Sequence, residues 1–128
     1  MTTREWIDAY RRAWIDADAD AAAALFTDDA SYRWHALSDP AVGRAGIRTY
    51  WETVTATQSD VQVTFGEPVE SGQRVAVEFW TVMRNEGELV TLPGLMLLRF
   101  VPDGRCEELR EYWSLEAGSH EPPESWGS

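Results

Sequence analysis

The chain has 128 residues, 44% of them hydrophobic and 26% charged, with a formal net charge of −11. That is the make-up of one globular domain and excludes a disordered chain. The acidic balance opposes binding to nucleic-acid phosphates and to anionic membrane surfaces, and no apolar run reaches the roughly 18 residues of a membrane span. All eleven basic residues are Arg, which reads as the coding bias of a GC-rich bacterial genome. With no Lys, no side chain can form a Schiff base. The opening MTTREWIDAY carries charges where a signal peptide needs an apolar core, so a cytoplasmic protein is expected. The single Cys106 permits no intramolecular disulfide and is expected as a small buried side chain.

Trp6, Tyr10 and Trp14 recur every four residues, with Ile7 beside them, and predict a first helix over about 3–16. Asp18 or Asp20 can cap a short second helix running through Phe26, which Thr27-Asp28-Asp29 would end. Residues 30–35 then alternate as a short strand with Tyr32 and Trp34 on one face. After a loop over 36–43, Ile47, Tyr50, Trp51 and Val54 mark a third helix. From residue 60 the period changes to two. Val61, Val63 and Phe65 lead to a turn at Ser71-Gly72, and Val75, Val77, Phe79, Thr81 and Met83 share one face of the next strand. Turns at Asn85-Glu86-Gly87 and Pro102-Asp103-Gly104 bound a strand over 89–101, and a last strand spans about 105–115. The closing AGSHEPPESWGS is polar and reads as a mobile tail.

The runs ALFTDDASY, GRAGIRTYW and LLRFVPDGRCEELREYW, in that order over about residues 5–115, resemble the SnoaL-like branch of the nuclear transport factor 2-like superfamily. The resemblance implies an α+β, cone-shaped fold, with three N-terminal helices packed on a strongly curved, mostly antiparallel sheet. The domain would occupy residues 1–116 and a flexible tail 117–128. Known members include polyketide cyclases, ketosteroid isomerase, limonene epoxide hydrolase, dehydratases and non-catalytic adaptors, so the fold leaves function open.

Position by position, the ketosteroid isomerase branch's oxyanion-hole tyrosine falls on Tyr10, its catalytic Asp on Trp34 and its protonated Asp on Met96. An indole cannot abstract a carbon-bound proton and a thioether has none to donate, so that activity is not expected here. The epoxide hydrolases' Asp-Arg-Asp network has no equivalent on the inward faces. The polyketide cyclases look closer, since they need little more than one acid/base carboxylate in an apolar chamber. Many relatives carry an Asp after the closing aromatic pair, where this chain has Ser114.

The same resemblance places Met96, Leu98 and Phe100 inward. Strand parity adds Phe79 and Met83, and on the last strand Leu109, Glu111 and Trp113, with Arg110 and Tyr112 outward. Tyr10, Trp14, Tyr32, Trp34 and Trp51 complete an aromatic ligand pocket. A carboxylate among such groups loses hydration and its pKa rises toward the range useful for general acid/base catalysis. Glu111 is therefore the expected catalytic group; the alternative is a rim position or an ion pair with Arg33 or Arg48. His35, one residue past Trp34, is expected at the mouth as a proton shuttle or donor, or else as a loop histidine bonded to backbone. Tyr10 is expected to donate its hydroxyl inward.

Asp28-Asp29 reads as a structural joint, and His35 and His120 lack zinc-ligand spacing, so no metal or cofactor is expected. Trp80, Val82, Leu95, Leu97 and Tyr112, edged by Glu78, Arg99 and Arg110, form an outer apolar patch that suggests a homodimer through the sheet. The sequence thus points to a small-molecule protein for a mostly apolar, oxygen-bearing ligand. It leans to cofactor-independent cyclisation, isomerisation or dehydration. The alternative is a non-catalytic ligand-binding or dimeric interaction module of the same fold.

Overall fold

Thr2 and Glu5 cap the first helix reciprocally: the Thr2 hydroxyl accepts from the Glu5 amide and the Glu5 carboxylate accepts from the Thr2 amide. The computed structural model describes all residues, 1–128. Helix α1 (Thr3–Asp16) buries Trp6, Ile7, Tyr10, Ala13 and Trp14 along one face, the stripe its four-residue spacing predicts. Ala17, in the left-handed region at φ 53°, ends it. Asp18 then caps α2 (Ala19–Ala23) through the Ala21 amide. Helix α3 (Gly43–Thr55) buries Ile47 and Trp51. Gly43 starts it at φ +76°, where a Cβ would stand 3.2 Å from the Asp28 carbonyl oxygen.

The strands are β1 (Phe26–Arg33), β2 (Ala41–Val42), β3 (Gln58–Phe65), β4 (Val69–Ser71), β5 (Arg74–Asn85), β6 (Glu88–Phe100), β7 (Cys106–Trp113) and β8 (Glu116–Ala117). They form one mixed sheet in the order β2-β1-β7-β6-β5-β3, with β4 beside β5 and β8 beside β6. Pairing is antiparallel except between β1 and β7, which run parallel. The sheet stays open, with β2 and β3 at its ends. Along β5, Val75, Val77, Phe79, Thr81 and Met83 are buried and their neighbours less so, as period two requires. Those side chains and the inner faces of α1 and α3 make one contiguous core. No helix is long and apolar enough to cross a membrane.

Three elements differ from the sequence reading. The first strand starts at Phe26, so Thr27-Asp28-Asp29 belongs to it and not to a helix-ending turn, and α2 stops at Ala23. The two acids lie exposed where the β1–β7 register shifts, and Asp28 meets Arg44 of α3 at 2.9 Å. A local irregularity that turns both acids outward looks like a turn in one dimension. The three N-terminal helices that the resemblance implies are interrupted by β1 and β2, which stand between α2 and α3, where the alternation over 30–35 already predicts a strand. Finally, residues 117–128, expected as a mobile tail, lie along the outer sheet face. The Trp80 indole N–H donates to the His120 carbonyl at 2.9 Å, the Glu67 amide donates to the Gly127 carbonyl at 2.7 Å, and Trp126 meets Trp80 edge-on at 5.9 Å.

Candidate functional site

Alternation along β7 sends Leu109 and Glu111 to the inner face, 0% and 8% exposed. The parallel register sets Tyr32 of β1 beside Leu109, so the phenol reaches the next inward residue. Its hydroxyl donates to Glu111 Oε1 at 2.7 Å. Tyr10, brought by α1, has its hydroxyl 2.7 Å from that of Tyr32 and 3.2 Å from Glu111 Oε1. Each hydroxyl carries one proton. Both short contacts are satisfied when Tyr10 donates to Tyr32 and Tyr32 donates to Glu111. Burial pushes the Glu111 carboxyl up from 4.5 to about 7, against the pull of the Tyr32 and Tyr10 hydrogen bonds. Burial, and then the nearby Glu111 charge, holds both phenols well above their ordinary value. Near neutrality, then, the carboxyl exchanges its proton while the phenols keep theirs.

The three groups face a cavity of about 340 Å³, within the size range of small-molecule sites. Of the expected pocket residues, Tyr10, Trp14, Tyr32, Trp34, Trp51, Met83, Glu111 and Trp113 line it. Trp113 sits at the rim, 37% exposed, and its indole N–H donates to the Trp34 carbonyl at 2.5 Å. Phe79, Met96, Leu98 and Leu109 point the expected way but are fully buried core side chains outside the cavity wall. His35 is exposed and does not line the cavity. Its Nδ1 accepts from the Leu37 amide at 3.2 Å and its ring meets the edge of Trp113. The strand ends at Arg33, so inward-outward parity does not carry through to residue 35. Neither Arg33 nor Arg48 pairs with Glu111: Arg48 meets Asp20 at 2.7 Å and Arg33 bonds the Ser38 carbonyl.

The sequence profile of the SnoaL-like domain matches residues 7–109. The chain belongs to the SnoaL-like family. No curated protein matches it. Among solved structures, SalBIII, described as an epoxide hydrolase/cyclase-like enzyme in pyran ring formation in the polyether salinomycin, is similar. It is 23% identical with a TM-score of 0.78 over 89% of this chain and 94% of that one. A protein of ketosteroid isomerase-like fold from Catenulispora acidiphila, in complex with trimethylamine, is 26% identical with a TM-score of 0.79, over 88% of each chain. RV0760c from Mycobacterium tuberculosis is 19% identical with a TM-score of 0.75, over 89% of this chain and 95% of that one.

Within this SnoaL-like fold the acid has a definite place. Met96, which the resemblance aligned with a protonated Asp, stands directly across the β6–β7 ladder from Glu111. The carboxyl thus occupies the neighbouring strand at the same level. Trp34 stacks on Tyr50 at 4.6 Å and 18°, so an indole–phenol wall stands at the position that the resemblance aligned with a catalytic Asp. Sequence reasoning missed Tyr50, Val54, Thr55, Thr57, Gln58, Asn85, Leu92 and Leu115 as lining residues. Tyr50 and Val54 share the apolar spacing of α3 with Trp51, a signal that was present. The polar group at Thr57, Gln58 and Asn85 is assembled from the α3–β3 turn, the first residue of β3 and the last of β5, and left no local signal.

Proposed function

We propose that this SnoaL-like protein binds a small, mostly apolar, oxygen-bearing molecule inside a cone-shaped chamber and moves protons on it without a cofactor. Glu111 is the acid/base. One observation carries the reading: a single carboxyl, 8% exposed, stands in an aromatic cavity with one oxygen fixed by Tyr32. Once Glu111 takes up a proton it no longer needs the Tyr32 hydrogen bond, and the phenol proton so released can stabilise an enolate-like oxygen. In its ionised form Glu111 takes a proton from the ligand, and in its neutral form it returns one, so cyclisation, isomerisation and dehydration all close without net proton uptake. His35, exposed and bonded to the Leu37 amide, has no part in this scheme. That the Catenulispora protein holds trimethylamine supports a small organic occupant.

The test is a panel of cyclic ketones, epoxy alcohols and hydroxy-enones, assayed with the intact chain and with Glu111→Gln. Turnover that falls about 100-fold or more in the variant, with unchanged circular dichroism, supports the reading. Binding with no turnover across the panel contradicts the catalytic half and leaves a ligand-binding module. The same fold is proposed to dimerise through the outer sheet face, where Leu95 and Tyr112 remain 38% and 44% exposed beside the docked tail. Light scattering at micromolar concentration should give twice the 14.5 kDa chain mass; a monomer contradicts it.

A further inference from the structure

We propose that the chamber is built to accept an organic cation, a tertiary or quaternary ammonium group, between its aromatic walls and the Glu111 carboxylate. The inference rests on the reading of Glu111 as the cavity's working carboxyl and names the class of ligand that it takes.

Charge balance is the first argument. Glu111 is the only ionisable acid or base among the lining residues other than the phenols. The ion pairs of the chain join Arg4, Arg44, Arg48, Arg84, Arg99 and Arg105 to other acids. No arginine reaches the cavity, and the chain has no lysine that could. Buried charges in proteins are paired or they neutralise themselves. A carboxylate kept here without a cation is stabilised by phenols alone, and only on one side: both contacts fall on Oε1, while Oε2 receives no hydrogen bond from the protein.

The walls supply the second argument. Seven of the sixteen lining residues are Trp or Tyr, the ring types whose faces attract ammonium groups. Trp34 and Tyr50 form a stacked double wall, and Trp113 stands at the mouth. A purely hydrophobic chamber for a neutral ligand is made as readily from Leu, Ile and Val, whereas here the aliphatic side chains on the wall are Val54, Met83, Leu92 and Leu115 against seven Trp and Tyr. At about 340 Å³ the cavity exceeds a trimethylammonium headgroup and leaves room for a short oxygen-bearing chain. Such a ligand brings a positive centre to Oε2, the carboxylate oxygen that the phenols leave without a hydrogen bond.

The intact protein is titrated at pH 8 by calorimetry with choline and with its uncharged carbon isostere, 3,3-dimethylbutan-1-ol. Choline should bind about tenfold more tightly or better. Glu111→Gln should reduce that preference at least severalfold, to the part that the aromatic walls alone supply. Trp34→Leu, which leaves the carboxyl in place, should weaken choline by about tenfold and so covers the case in which the first variant fails to fold. Choline affinity alone should fall as pH drops through about 7, the value for Glu111. The titratable groups around that carboxyl are Tyr10 of α1, Tyr32 of β1 and Tyr50 of α3, all raised and neutral there, and β6 offers Met96. Equal affinity for the two probes, no choline binding, or a preference left unchanged by Glu111→Gln overturns the inference. Glu111-dependent turnover of the neutral panel without a choline preference sinks this inference and spares the acid/base reading. A choline preference without turnover does the reverse.

Discussion

Glu111 holds its proton more tightly in the folded protein than in the unfolded chain, with a pKa of about 7 against an ordinary 4.5. The sign of the linkage follows. Below about 4.5 the group costs nothing; as pH rises toward 7 the buried charge progressively weakens the fold, by on the order of 3 kcal/mol in full. Urea unfolding between pH 4.5 and 8 should show the native protein losing stability relative to Glu111→Gln across that window, and parallel curves would contradict the burial. Tyr32→Phe removes the 2.7 Å hydrogen bond to the carboxylate and should raise the Glu111 midpoint further. Thr81 makes a separate case. It is 0% exposed and its Oγ1 has no partner, so Thr81→Val, nearly the same shape, should stabilise the protein by roughly 1 kcal/mol. A loss of stability there would mean the hydroxyl has an unseen partner.

Between elements, the tightest requirement lies where β5 crosses β6. Phe79 pairs with Gly94, and a Cβ at 94 would come within 2.3 Å of the Phe79 ring. The ring is fully buried in the core, so it cannot swing aside. Gly94→Ala should cost about 1–3 kcal/mol, read from the denaturation midpoint. At the other side of the sheet, the tail supplies the Glu67 amide with its acceptor and the Trp80 indole with another. Removing residues 119–128 should abolish slow hydrogen exchange at the Glu67 amide while leaving the Glu111 titration unchanged. Retained protection would mean the tail does not dock. Periodicity finds α1, α3 and β5 because each buries one face and so writes its period into the sequence, whereas β6 and β7 are bounded by the turns that flank them. The tail half-buries single residues, Trp126 among them, without repetition, and a polar Pro-Pro segment shows no period to read.

For the molecule as a whole, the family and the inward carboxyl were legible, whereas the cavity's depth was not. The resemblance puts Met96 and Leu98 on the inner face, and parity adds Glu111, Met83, Phe79 and Leu109 to the same face. Only the packing of α1 and α3 on the sheet decides which of these meet open space and which are sealed beneath it. The phenol pair is half visible: Tyr10 and Tyr32 are both expected inward, but the 2.7 Å contact of Tyr32 with Glu111 depends on a parallel β1–β7 pairing that joins segments far apart in the chain. The account depends on Glu111 being a chamber carboxyl poised near neutrality, and the most direct measurement is a 13C NMR titration of its labelled side-chain carboxyl in the intact protein. A midpoint near 7 that moves upward in Tyr32→Phe is the expected result. A midpoint at the ordinary 4.5, indifferent to Tyr32, would contradict it.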